Sequence, residues 1–219
     1  MKQLPILALT ALLGSSFVLA DSEISAPLTS GTNVGIRELV TEYPDSKNQD
    51  PSKPIVVGQS FTIPADSKDT VLTSVSFWLF AASGTPHLRA YIGEMSGTAT
   101  DMEPRLLGGP LFASDPVEIS WHSAQELTFK TGNLQLKPGK AYMAFITGIS
   151  DLDNIPDKTY LLLAGKEVPD ETNAIAAGRG LTSVPRTDPV QSVTDLFGEQ
   201  SPYWNGEAKA GGGDFAFRA

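Results

Sequence analysis

The chain has 219 residues, with 25 acidic against 16 basic side chains for a formal net charge of −9, and it contains no cysteine. The acid excess, with Lys and Arg scattered singly, counts against nucleic acid as a partner, because phosphate binding draws on clustered cations. The lack of thiols excludes disulfides, thiolate metal sites and cysteine catalysis. The length suffices for one all-β domain, or two small ones, to bury a core without covalent staples.

Residues 1–20, MKQLPILALTALLGSSFVLA, have the form of an export signal. Lys2 supplies the positive start, an apolar run follows, and the small residues Val18 and Ala20 place cleavage after Ala20. Pro5, Thr10, Gly14, Ser15 and Ser16 interrupt the run, which falls short of the roughly 20 apolar residues of a membrane span. No later segment is long and apolar enough to span. The expected product is soluble, either secreted or periplasmic, with residues 21–219 forming a single domain.

Residues 21–54 read as an irregular, polar N-terminal segment. Its one apolar patch, NVGIRELVTEY, fits a short helix or a strand, and DSKNQDPSKP reads as an exposed loop. From Ile55 the pattern turns to period two. IVVGQSFTIP is a first strand, stopped by Pro64. In TVLTSVSFWLF the alternation predicts Val71, Thr73, Val75, Phe77 and Leu79 on one face, with Leu72, Ser74, Ser76, Trp78 and Phe80 on the other. After the turn ASGTP, HLRAYIGEM places Leu88, Ala90 and Ile92 inward and His87, Arg89 and Tyr91 outward. PLFA and VEISW read as short strands separated at Asp115-Pro116.

ELTFK sets Leu127 and Phe129 on one face, and Thr131-Gly132-Asn133 is predicted to turn the chain. Leu134 and Leu136 then lead into Lys137-Pro138-Gly139-Lys140. Proline at the second turn position fixes its φ and glycine at the third tolerates a positive one, so a type II turn accounts for the spacing of the two lysines. They mark a corner, and no ligand is needed to explain them. AYMAFITGI is apolar on both faces, which predicts a central strand covered on both sides. TYLLLAG is a further strand. Residues 166–213 read as a long irregular connection, with a helical turn or two after Asp188-Pro189, where Val190, Val193 and Phe197 recur at helical spacing. GGGDFAFRA ends the chain as a strand. Many short strands between turn signals predict an all-β fold, an antiparallel β-sandwich of jelly-roll type with one or two short helices in its loops.

The stretches GQSFTIPADSKDTVLTSVSFWLF, HLRAYIGEM and LTFKTGNLQLKPGKAYMAFITG, taken in that order, resemble a group of exported bacterial jelly-roll proteins. Many members of that group carry a C-terminal sorting tail of the Pro-Glu-Pro type. The resemblance implies fold and export. It brings no catalytic residue, since the shared positions are framework and the group is largely without assigned activity. This sequence ends at Arg218-Ala219 without that tail, so release is expected in place of surface attachment.

No catalytic residue nominates itself. The Gly-x-Ser-x-Gly elbow is absent, and the two histidines, His87 and His122, have no partner identifiable from spacing. Zinc, phosphate-loop and dinucleotide motifs are likewise missing. Calcium is the metal hypothesis: DLDNIPDK gathers Asp151, Asp153, Asn154 and Asp157 as hard oxygen donors in one loop, although Ile155 breaks the EF-hand pattern and solvated turns commonly look the same. Paired carboxylates for a polysaccharide hydrolase are too easily found among 25 acids to mean anything by number. Aromatic side chains give the sharpest binding hypothesis. Trp78 and Tyr91 lie opposite the apolar stripes of their strands, while Tyr203 and Trp204 stand with Trp121 in or beside loops. Flat rings of this kind stack on sugar C–H faces. The competing expectation is that Trp78 and Phe80 pack beneath the long connection, since large aromatics are mostly buried.

These residues point first to a non-catalytic extracellular binding module for carbohydrate. A structural or matrix protein working through another exported protein comes second, and a hydrolase acting on polysaccharide third.

Overall fold

A computed structural model describes residues 25–26, 34–40, 56–83, 87–99, 104–120, 125–147, 160–166, 180–183, 193–197, 204–206 and 217–219. Among the described residues the regular elements are strands and one 3₁₀ turn, and none is an α-helix. In chain order the strands are β1 (Ser25–Ala26), β2 (Val34–Val40), β3 (Val56–Thr62), β4 (Val71–Ser83), β5 (His87–Met95), β6 (Leu106–Ala113) and β7 (Val117–Glu118). There follow β8 (Gln125–Gln135), β9 (Ala141–Thr147), β10 (Tyr160–Lys166), β11 (Gly180–Ser183), β12 (Trp204–Gly206) and β13 (Phe217–Arg218). The 3₁₀ turn covers Val193–Leu196. The expected signal, residues 1–20, lies outside the described residues.

Among the described residues every paired strand runs antiparallel to its neighbour, apart from one isolated parallel bridge between Leu106 and Phe197, and the pairings divide the strands into two sheets. The first runs β1-β13-β4-β10-β2. Its spine is β4, which pairs β8 along one edge from Val71 to Leu79 and takes β13 and then β10 along the other. The second runs β12-β11-β3-β9-β5-β6, with β7 also on β5. The ambiguous patch near residue 34 is therefore a strand, paired over its whole length with β10. The connection expected to be irregular over 166–213 contributes β11 and β12 to the second sheet. These segments, GLTS and WNG, are too short for alternation to register.

Strand β9 occupies the centre of the second sheet between β3 and β5, and all seven of its residues are buried. Its two faces serve two apolar clusters. Tyr142, Ala144 and Ile146 join Val57 and Phe61 of β3, Leu88, Ala90 and Ile92 of β5, Val75, Phe77 and Leu79 of β4, and Phe129 of β8. This cluster draws on both sheets. On the opposite face Met143 and Phe145 join Val56, Tyr91, Met95 and Leu106 beneath Val193, Leu196 and Phe197. Full burial of such a side chain stabilises by about 1.5–3 kcal/mol, so β9 contributes on both sides. Space beneath the 193–197 segment is tight: a Cβ on Gly93 would meet Phe197 Cε1 at 2.8 Å and Leu106 Cδ2 at 2.9 Å.

Two departures from strict alternation have one cause. The β4–β8 register shifts between Leu72 and Ser74, so one residue of β4, Thr73, faces three of β8. Gly132 and Asn133 have φ of +69° and +65°, and the Thr131 hydroxyl donates to the Leu72 carbonyl. The predicted turn at Thr131-Gly132-Asn133 is thus a bulge within one continuous strand, because left-handed residues absorb the extra length without reversing the chain. The bulge also changes phase along β4. Leu72 joins the core while Val71 is 50% exposed, which corrects the expectation that Val71 and Thr73 face inward with Val75.

The corner at Lys137–Lys140 has the expected turn chemistry. Gly139 has φ +73°, and the Lys140 N–H points to the Lys137 carbonyl at 3.4 Å. Gly139 N–H donates to Ile63 O at 2.8 Å, which ties the corner to the end of β3. Beneath it, the hydroxyl of buried Tyr142 accepts the Lys137 N–H at 2.8 Å.

Candidate functional site

The face of β4 opposite Val75, Phe77 and Leu79 carries Ser74, Ser76 and Trp78 in succession. Antiparallel pairing sets Lys130, Thr128 and Glu126 of β8 directly beside them. Directly opposed residues in such a pair have Cβ atoms about 4.5–5.5 Å apart, so the six form a strip two side chains wide. Ser76 is buried, and its hydroxyl shares a 2.8 Å hydrogen bond with that of Thr128. Register also places Arg218 of β13 opposite Ser76 from the other edge. Trp78 is half-buried at the end of the strip, while Glu126, Thr128 and Lys130 are exposed.

The strip therefore combines one indole with an acid, hydroxyls and a base. An indole supplies an apolar plane with a single N–H donor, while the acid and hydroxyls supply directional acceptors and donors. Trp78 was visible in the sequence. Its neighbours were not singled out, although in QELTFK the polar residues Glu126, Thr128 and Lys130 alternate against Leu127 and Phe129. What local alternation lacks is the register that brings them beside β4.

Among the other candidates, Tyr91 lies on the predicted face of β5, but that face is covered. The ring is 5% exposed and stacks on Phe145 at 5.3 Å between centroids, with Phe197 against Phe145 in turn. Tyr91 is packed where a presented ring was expected. The cover comes from the 193–197 segment, so the long connection packs over the second sheet at this point. Trp204 opens β12 opposite Ser183. Trp78 and Trp204 thus belong to different sheets. Tyr203, Trp121 and His122 lie outside the described residues, as do Asp151, Asp153, Asn154 and Asp157 of the calcium hypothesis. Among the described residues no group of three His, Asp or Glu is placed to hold a metal.

His87 pairs across strands with Glu118, Nε2 to Oε2 at 3.4 Å, and both side chains are exposed. Lys140 reaches Glu94 at 3.2 Å, so one lysine of the corner is engaged with an acid of β5. No helix among the described residues is long and apolar enough to cross a membrane. The chain matches no protein-family model, no curated protein and no solved structure at a significant level.

Proposed function

We propose that the chain is an exported, non-catalytic binding module that holds carbohydrate on the outer strip of β4 and β8. The half-buried Trp78 beside the exposed Glu126 and Thr128 carries this reading. A ring fixed by its strand but reachable from solvent stacks on a sugar face, and the neighbouring oxygens take its hydroxyls. The apolar cluster shared by both antiparallel sheets supports a β-sandwich of jelly-roll type as the scaffold. Export rests on the form of residues 1–20, and a calcium ion at Asp151–Asp157 on the donor types in that loop.

The test is a glycan and polysaccharide binding screen on residues 21–219, with and without calcium, beside Trp78→Ala and Glu126→Gln. Retained folding with a loss of about tenfold in affinity for Trp78→Ala is expected, about 1.4 kcal/mol, at the upper end for a stacked ring. Absence of binding to every glycan by the folded wild-type protein would sink the proposal. Loss on calcium removal alone would assign the loop a role.

A second reading, assembly with another exported protein, is favoured by one observation. Strand β6, last in its sheet, exposes Leu107 by 43% and Leu111 by 44%. Sedimentation of wild type against Leu107→Lys, Leu111→Lys distinguishes it, since only an edge-mediated assembly would dissociate.

A further inference from the structure

Arg89 stands in β5 on the face opposite the shared core residues Leu88 and Ala90, and pairs across strands with buried Thr147 of β9. The residue is half-buried, and its Nε is shut away from water with no hydrogen-bond partner. Acids and hydroxyls on or beside its strand are otherwise engaged. Glu118 pairs with His87 and Glu94 with Lys140. The Ser114 hydroxyl accepts from the Ala90 N–H at 2.9 Å and donates to the Asp115 carbonyl at 2.8 Å. Among the described residues, then, no acid meets this guanidinium, in a chain where acids outnumber bases 25 to 16.

A guanidinium stays charged at any physiological pH, and a donor kept from water without an acceptor is unfavourable by roughly the worth of the missing bond. We propose that Arg89 anchors a binding site for a single carboxylate, such as that of a uronic acid, on the second sheet. The Nε–H and the adjacent Nη–H form the side edge of the guanidinium, and two parallel N–H···O bonds from that edge match the two oxygens of a carboxylate. The flexible stem lets the head swing toward a ligand, which then gives Nε the acceptor it lacks. One carboxylate fits better than a polyanion, because a net charge of −9 repels densely charged partners at long range and Arg89 offers one cation. The site is independent of Trp78, which belongs to the other sheet.

The experiment follows the side-chain Nε–H resonance of Arg89 by NMR in the full chain, titrated separately with glucuronate, butyrate and glucose. Glucuronate is expected to shift it saturably and glucose to leave it unmoved. Butyrate equal to glucuronate would support the carboxylate site and assign it to simple acids, whereas weaker butyrate binding would assign it to sugar acids. Arg89→Gln should lower glucuronate affinity about tenfold to a hundredfold, the scale of a charge-assisted pair. Arg89→Lys, which keeps the charge but loses the fork, should fall between, and it carries the test if Arg89→Gln does not fold. The readout is the Arg89 resonance itself, so a glycan screen that fails while this resonance still shifts with glucuronate marks a failed carbohydrate strip, and the reverse marks a failed Arg89 site. Absence of any shift with either acid, or unchanged glucuronate affinity in both Arg89 variants, would overturn the assignment.

Discussion

Strand β9 and strand β4 are each the centre of a sheet, yet they differ in what lies on their second face. Along β9 both faces are apolar and buried, one in the cluster shared by the sheets and the other beneath Val193, Leu196 and Phe197. Along β4 one face enters the shared cluster, while the other carries Ser74, Ser76 and Trp78 beside polar side chains of β8. Where a second apolar layer exists the sheet gains stability and loses access. On the outer face of β4 no such apolar cluster occurs among the described residues, and the same kind of strand presents polar side chains and a half-buried indole. Stability measurements can test that division.

The largest contrast is expected between two aromatic truncations. Phe145 is fully buried between Tyr91 and Phe197, so Phe145→Ala should cost about 3–5 kcal/mol, in the range for large-to-small changes at a packed site. Trp78→Ala removes a bulkier but half-buried ring, and less than half that loss is expected, about 1–2 kcal/mol. Urea unfolding of the two variants measures both. Equal losses would mean that Trp78 is a structural residue, and the proposed binding strip would lose its main support.

A smaller contrast sharpens the phase of β4. If the bulge opposite Thr73 sets the faces, Leu72→Ala should cost about 2–4 kcal/mol and Val71→Ala no more than about 0.5 kcal/mol. Strict alternation demands the reverse, with Val71 in the core. Midpoints of denaturant curves for these neighbours decide between them, and a larger loss for Val71→Ala would remove the bulge.

That reversal shows what was legible in the sequence. The all-β class, the central place of AYMAFIT and the corner at Pro138-Gly139 follow from local chemistry, and each could be read without partners. Period two says which residues share a face until an extra residue enters the ladder. Gly132-Asn133 announces such an irregularity but does not say whether the chain turns or bulges, since left-handed residues serve both. Periodicity is also silent about coverage. It placed Tyr91 on its correct face, but the cover comes from a segment about a hundred residues later in the chain. Distance in sequence also hid the strip. Trp78 stood out by residue type, whereas Glu126 and Thr128 became its neighbours only through the β4–β8 register.

The smallest effect concerns the corner beneath Lys137 and Lys140, and it asks what fixes the entry to the doubly buried strand. Tyr142 belongs to β9, its ring lies in the shared cluster, and its hydroxyl accepts the Lys137 N–H at 2.8 Å. The turn's own closing contact, Lys140 N–H to Lys137 O, is longer at 3.4 Å. Tyr142→Phe keeps the ring and deletes only the acceptor, so it isolates this bond. A loss of about 1 kcal/mol is expected, since Lys137 is exposed and water can take over part of the role. Amide exchange at Lys137 should accelerate, while that of Phe145 and Ile146 should rise only by the factor that the global loss sets. An unchanged Lys137 rate would transfer the anchoring of the corner to Gly139 N–H and Ile63 O, on the β3 side. In that event β9 would be positioned by its neighbour strand, and the tyrosine would matter through its ring alone.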